Sequence, residues 1–166
     1  NDVDVVVLEG ALALNLGELD RAREKASRAT ELAPEDGDVW LLLGAISRRE
    51  GDAGKALAQV DEGLRRDPDN VKAHLFRLDL LQELGRTEAI GGALRRLVEI
   101  KPGEIGFWEG LARWQLRTKR FEEVEPTLRR ISELNRDDAA RALDIVRLVG
   151  AMQGREAAYA ELDRLI

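Results

Sequence analysis

The sequence repeats itself every 34 residues, and its five blocks align without an insertion or a deletion. The blocks span residues 3–36, 37–70, 71–104, 105–138 and, ending early, 139–166. A fixed period of this length is typical of arrays in which each repeat buries its apolar face only by stacking on its neighbours. We therefore expect a single domain over residues 1–166, built from similar units.

Equivalent positions of the blocks carry similar residues. A ring column holds Trp40, His74 and Trp108, a turn column holds Gly17, Gly51 and Gly85, and a closing column holds Pro34, Pro68 and Pro102. Between these columns run two apolar segments with helical periodicity. Glycine tolerates the left-handed conformation that ends a helix, and proline, which has no N–H, stops the next one. Each block is therefore predicted to be a hairpin of two helices.

The composition agrees with an all-α fold, because Leu, Ala, Glu and Arg dominate the chain and favour helices. In the second block the small residues Gly44 and Ala56 are predicted to face each other across the hairpin. Two small residues let the helix axes approach closely, and we expect Trp40 to fill the space beside them.

The second block, GDVWLLLGAISRREGDAGKALAQVDEGLRRDPDN, resembles the tetratricopeptide repeat in its aromatic, Leu-Gly, Ala and Pro positions. The resemblance covers essentially all of residues 3–166. The sequence departs from the pattern at Leu78, where a small residue belongs, at Lys119 for the turn glycine and at Arg136 for the proline. The resemblance implies an all-α, right-handed superhelix, or α-solenoid, of about five helical hairpins. It also implies a segment of a longer bacterial repeat protein.

In that family the first helix of every hairpin lines a concave surface, so the resemblance implies a peptide-binding groove there. The groove residues that we predict are Leu41, Ala45, Arg48, Leu75, Asp79, Glu83, Arg113, Arg117 and Arg147. Leu41 and Leu75 would supply apolar contacts, and the charged positions would select the charge of the ligand. Leu42 and Phe76 belong either to the groove or to the core. The family's clamp for chaperone carboxylates is not matched.

The resemblance implies a scaffold that binds a protein or peptide. A second hypothesis is a structural spacer or assembly arm of a larger bacterial protein, in envelope or exopolysaccharide assembly. Helical ends that lack a polar cap would also permit a homo-oligomer. We expect no enzyme and no catalytic, cofactor or metal site, because the chain has no cysteine and His74 is its only histidine. We expect His74 to pack as its Trp counterparts do.

The charge argues against nucleic acid as a partner. The net charge is −6, and no 34-residue block is strongly basic, whereas binding to phosphates needs a concentrated positive face. The apolar stretches, such as residues 5–8, are too short to insert into a membrane. The first residue is Asn, which suggests a processed or excised chain, and both cytoplasm and periplasm stay open as locations.

Overall fold

The computed structural model describes residues 2–135, 143, 146, 147, 149–151 and 154–165, and within them the regular structure is entirely helical. The helices are α1 (Val3–Asn15), α2 (Leu19–Leu32), α3 (Gly37–Arg49), α4 (Ala53–Arg66), α5 (Val71–Glu83), α6 (Thr87–Ile100), α7 (Ile105–Arg117), α8 (Phe121–Leu134) and α9 (Arg155–Leu165). The prediction of an all-α array of helical hairpins is confirmed. Ten of the 28 residues of the fifth block, 139–166, lie outside the described residues.

The helices follow the sequence period residue by residue. In the first four blocks the first helix begins at position 3, 37, 71 or 105, and the second begins at 19, 53, 87 or 121. First helices have 13 residues and second helices have 14. Asp36 and Asn70 begin two of the first helices by accepting hydrogen bonds from backbone N–H groups of the first turn, a common N-cap.

The turn column has the backbone conformation that its glycines predict. Gly17, Gly51 and Gly85 have φ angles of 79°, 87° and 65°. Lys119 holds the same place in the fourth block with a φ of 58°, the one non-glycine residue with a positive φ among those described. In each turn the next N–H returns to the first helix, as from Arg120 to the Gln115 carbonyl at 2.8 Å.

The ring column is tied to the closing column of the preceding block. The Nε1 of Trp40 donates to the Pro34 carbonyl oxygen at 2.8 Å, and the Nε1 of Trp108 donates to that of Pro102 at 3.0 Å. His74 is buried and holds its Nε2 at 2.8 Å from the Pro68 carbonyl oxygen. Because a carbonyl oxygen only accepts, this histidine nitrogen carries the hydrogen.

The packing inside the second hairpin differs in one detail from our expectation. A Cβ added to Gly44 would lie 3.3 Å from the Ala56 carbonyl oxygen, so the close approach of the two helices is confirmed. The space beside them is filled by Val60 and Phe76. Trp40, which was expected there, packs against Gly63 and stacks on the Arg66 guanidinium, 4.7 Å from its ring. It is half-buried, with its N–H directed to the Pro34 carbonyl oxygen.

The chain divides into two compact units, an N-terminal unit of Asn1–Ala89 and a C-terminal unit of Ile90–Ile166. In the N-terminal unit, the first hairpin packs on α3 through a core of Ala13, Leu14, Ala22, Ala26, Leu42 and Ile46. Among the described residues of the C-terminal unit, Trp114 has the largest fully buried side chain. There Arg129 of α8 donates to both carboxylate oxygens of the buried Glu161 of α9, at 2.5 and 2.8 Å. That a single domain covers all 166 residues stays a prediction.

Candidate functional site

A groove of about 360 Å³ runs over the three first helices of the N-terminal unit, α1, α3 and α5. Its walls are formed by Val7, Ala11, Leu14, Asn15, Asp38, Leu41, Leu42, Ala45, Lys72 and Phe76. Most of these side chains are apolar, and the two charged ones lie near the beginnings of α3 and α5. The groove therefore offers an apolar floor to a ligand and polar groups at its edge.

Helix α3 supplies the middle of the groove. Asp38, Leu41 and Ala45 recur at spacings of three and four residues, which places them on one face of the helix. Leu41 and Ala45, two of the predicted groove residues, are half-buried and line it. Leu42 is only 4% exposed and belongs mainly to the core, whereas Phe76 is half-buried and lines the groove from α5. Of the two residues that the sequence left between groove and core, Leu42 is therefore mainly a core residue and Phe76 is a groove residue.

Three predicted charged residues come together where α3 and α5 end. The Nε of Arg48 lies 2.9 Å from an Oε of Glu83, and its NH1 lies 3.9 Å from an Oδ of Asp79. The Arg48 guanidinium is also 5.8 Å from the centre of the Phe76 ring. All three charged side chains are more than 40% exposed, and an ion pair in such a setting contributes only about 0 to 1 kcal/mol. A ligand can therefore displace either partner at small cost.

The edge of the groove near the beginnings of α3 and α5 carries two charged residues that were not predicted from the sequence. Asp38 accepts a long hydrogen bond, 3.5 Å, from the Asn70 amide. Lys72 is exposed and forms no ion pair with any residue that the structure describes. Asp38 and Lys72 occupy the same repeat position, the second residue of the first helix, and that shared column was the signal available in the sequence.

The other predicted groove residues are outside this set. Leu75 lies on α5, is 41% exposed and does not line the groove. Arg113 and Arg117 are exposed one helical turn apart on α7, in the C-terminal unit. Arg147 is an exposed helical residue of the fifth block. Of the predicted residues, Leu41 and Ala45 line the groove, whereas Arg48, Asp79 and Glu83 meet beside Phe76 and do not line it.

A second cavity of about 540 Å³ lies between α2, α3 and α4 in the N-terminal unit. Four of its polar side chains pair with each other: Arg23 donates to Glu50 at 2.7 Å, and the Ser47 hydroxyl donates to the Gln59 amide oxygen at 2.7 Å. The hydrogen bond to Glu50 raises the pKa of Arg23 above its usual value. Because these groups satisfy one another, the cavity is a weaker candidate for a ligand than the groove.

Other kinds of site have little support in the part of the chain that the structure describes. No group of three or more His, Cys, Asp or Glu residues there is arranged to hold a metal ion. None of the described helices is long and apolar enough to cross a membrane.

Comparison with known proteins agrees with the repeat pattern of the sequence. Residues 7–70 and 48–105 match the family model described as Tetratricopeptide repeat. Among solved structures, YrrB, a TPR protein with an unusual peptide-binding site, is 18% identical with a TM-score of 0.67, and the alignment covers 99% of this chain and 85% of YrrB. PilF of Pseudomonas aeruginosa is 20% identical with a TM-score of 0.63, covering 97% and 73%.

A third structure, MamA of Desulfovibrio magneticus RS-1, is 12% identical with a TM-score of 0.63, and the alignment covers 98% of this chain and 92% of that one. At these identities the likeness shows the fold alone. The chain has no significant match among curated protein sequences.

Proposed function

The chain belongs to the tetratricopeptide-repeat family, and on that premise we propose that it captures a peptide segment of a partner protein in the groove of α1, α3 and α5. Proteins of this family are generally binding scaffolds without catalytic activity, and their fold implies protein or peptide partners. One similar structure, YrrB, has a peptide-binding site described as unusual. The observation that carries the proposal is the groove itself, an apolar floor with Asp38 and Lys72 at its edge and the Arg48–Glu83 pair nearby, beside Phe76.

The dimensions of the groove fit a short segment. On α3 the residues that line the groove run from Asp38 to Ala45, a rise of about 10 Å at about 1.5 Å per residue. An extended peptide covers that distance in about three residues, at about 3.3 Å each. Its apolar side chains would rest on Leu41, Ala45 and Phe76, and its polar groups would reach the charged residues at the edge. This is the arrangement in which apolar contacts supply affinity and charges set orientation.

A selection from a random peptide library, with the full chain as bait, tests the proposal. The dissociation constants of recovered peptides are then measured for the wild type and for the Leu41→Asp variant. We expect Leu41→Asp to weaken binding at least tenfold, because a carboxylate on the groove floor replaces the apolar contact. Leu116→Asp is the matched control, since Leu116 of α7 is 42% exposed and lies outside the groove.

A second variant separates loss of binding from loss of structure. Ala45→Gln keeps a neutral side chain on α3 and fills part of the groove, so it should weaken the binding of the same peptides. The far-ultraviolet circular dichroism spectrum of this variant should match that of the wild type. Peptides that bind the Leu41→Asp and Ala45→Gln variants as tightly as the wild type would place the ligand elsewhere and refute the groove. The role as a spacer or assembly arm stays a prediction, for which light scattering across a concentration series is the first measurement.

A further inference from the structure

The second cavity, between α2, α3 and α4, has room for a small organic molecule. Its volume of about 540 Å³ exceeds the 360 Å³ of the groove. Pockets that hold such ligands usually measure about 300 to 1,000 Å³ and are mainly apolar. Ala26 of α2 and Leu43 and Ile46 of α3 supply the apolar surface here, and Ala26 and Ile46 are buried.

The repeat shows which side chains leave this space open. Three residues that line the cavity are smaller than the residues 34 positions later: Ala26, Thr30 and Ser47 correspond to Val60, Leu64 and Leu81. Val60 and Leu81 are 0% and 1% exposed, so the larger side chains pack without reaching solvent in the next repeat. The small residues around α2 and α3 therefore leave open a space that larger residues occupy at the same repeat positions.

The charged side chains that line the cavity differ in what they already bind. Arg23 pairs with Glu50 at 2.7 Å, and Glu31 pairs with Arg28 at 3.0 Å. Lys55 also lines the cavity, is exposed, and forms no ion pair with any described residue. Within the described part of the chain, the lining charge that is left for a ligand is therefore positive.

This positive charge lies at one end of the cavity. Helix α4 begins three residues after Glu50, so Lys55 is in its first turn, and Arg23 reaches the same Glu50 from α2. From Arg23 the cavity follows α2 as far as Glu31, a rise of about 12 Å at about 1.5 Å per residue. The cavity thus combines a charged end with a longer, mainly apolar part.

We infer that the second cavity binds an amphipathic organic carboxylate, with its acidic group beside Lys55 and its apolar body over Leu43 and Ile46. A carboxylate and an ammonium group form a charge-assisted hydrogen bond, stronger than one between neutral groups. Acidic side chains elsewhere in the unit act less strongly, because physiological salt screens charges beyond about 8 Å. The inference is independent of the groove, since the two sites share no lining residue.

Decanoate, a carboxylate on an unbranched apolar chain, is the probe, titrated into the full chain by isothermal calorimetry. We expect saturable binding that Lys55→Gln weakens at least fivefold, because the charge opposite the carboxylate is lost. Lys72→Gln is the matched control: Lys72 is also an exposed lysine without an ion pair among the described residues, but it lines the groove. Decanol, the neutral analogue, should bind the wild type at least fivefold more weakly than decanoate and should not distinguish the wild type from Lys55→Gln.

A second variant tests the space itself. Thr30→Leu/Ser47→Leu gives the cavity the side chains that the next repeat has at these positions. It should abolish decanoate binding, while its melting temperature should be no lower than that of the wild type, because filled space adds apolar contacts. Gln59, which loses its bond to Ser47, is only half-buried and can turn to water. If this variant fails to fold, the comparison of Lys55→Gln with Lys72→Gln still decides.

Three results would each overturn the inference: no decanoate binding by the wild type, equal binding by Lys55→Gln, or equal affinity for decanol. Loss of decanoate binding in Lys72→Gln or Ala45→Gln, but not in Lys55→Gln, would place the anion in the groove and also overturn it. The groove proposal is judged by peptide binding to the Leu41→Asp variant, so either proposal can fail without the other.

Discussion

At the scale of single residues, two positions that both hold leucine in one pair of repeats hold a glycine and a tryptophan 34 residues later. In the second and third blocks, Leu57 of α4 and Leu80 of α5 are both buried. The residues 34 positions later are Gly91 of α6 and Trp114 of α7. Trp114 is 1% exposed, and a Cβ built on Gly91 would overlap its ring. The glycine therefore makes room for the indole, which also lies under the guanidinium groups of Arg95 and Arg120 at 5.1 and 4.9 Å.

The packing of Trp114 against Gly91 predicts opposite effects of a glycine-to-alanine substitution at two neighbouring positions. Gly91→Ala should lower the free energy of unfolding by about 1 to 3 kcal/mol, because the added methyl group overpacks the core against Trp114. Gly92→Ala is the matched control: Gly92 lies in the same helix with no neighbouring atom near its Cβ position. It should gain about 0.5 to 1 kcal/mol, since alanine restricts the unfolded chain. Urea unfolding followed by circular dichroism gives both values, and equal effects would contradict the packing.

Individual contacts were the least predictable part of the molecule. The column of Trp40, His74 and Trp108 was visible in the sequence as a set of rings, but the shared chemistry is a ring N–H that donates to a proline carbonyl. Arg48 and Glu83 were both predicted as groove residues. That they pair depends on the rotation of α3 against α5, which a linear spacing of 35 residues does not specify. The groove assignment as a whole stays a prediction until a ligand is tested.

At the scale of elements, the fourth turn is strained where the others are not. Lys119 adopts a φ of 58°, where a residue with a Cβ is disfavoured by about 1 to 2 kcal/mol relative to glycine. Lys119→Gly should therefore raise the free energy of unfolding by about 1 kcal/mol. The mirror variant Gly51→Ala, at a φ of 87°, should lower it by a similar amount. The melting temperatures of both variants and of the wild type test this prediction. A Lys119→Gly protein that is no more stable than the wild type would contradict backbone strain at Lys119.

A carboxylate couples two elements in the C-terminal unit. Glu123 of α8 accepts from Arg95 of α6 at 2.8 Å, and this hydrogen bond, with a further one from Arg120, lowers the pKa of Glu123 below its usual 4.5. A lowered folded pKa means that the stabilisation is complete above the unfolded pKa and is lost as pH falls through the folded one. The contact between α6 and α8 should thus weaken in acid, below about pH 4.5.

Removal of the stronger donor tests this coupling. Arg95→Gln should raise the pKa of Glu123 towards its usual value, as followed by NMR titration of the carboxyl carbon. Arg96→Gln is the control, because Arg96 is on the same helix but pairs with Glu99 at 2.9 Å. A Glu123 pKa that responds equally to both substitutions would show a general field effect instead of the hydrogen bond.

Element boundaries were more predictable than contacts. The helix starts at positions 3, 37, 71 and 105 coincide with the block starts, because each block repeats the same stop and start chemistry. The sequence also located the fourth turn despite Lys119, since the register of its neighbours fixed the position. The sequence alone could not predict the strain at Lys119, because strain depends on the backbone angle that the residue adopts. In the fifth block, 139–166, ten of the 28 residues lie outside the described ones.

At the scale of the whole molecule, the charge is unevenly divided between the two units. The N-terminal unit has 12 Lys and Arg against 19 Asp and Glu, a net charge of −7, whereas the C-terminal unit has 14 against 13, a net charge of +1. The acidic unit contains the proposed groove. Surplus charge of one sign attracts a partner of the other sign and suppresses wrong ones.

Peptides selected on the full chain should therefore be rich in Lys and Arg, and their association should slow as salt increases. Raising the ionic strength from about 0.01 to 0.1 M shortens the Debye length from about 30 to 10 Å, which screens the field of the N-terminal unit. Beside the groove, Asp79→Asn/Glu83→Gln should remove much of the preference for cationic peptides, since only Arg48 of the three then remains charged. Glu24→Gln, an exposed position on α2, is the control with a single distant charge removed. Selection of acidic peptides, or association rates that do not change with salt, would mean that the field of this unit does not choose the partner.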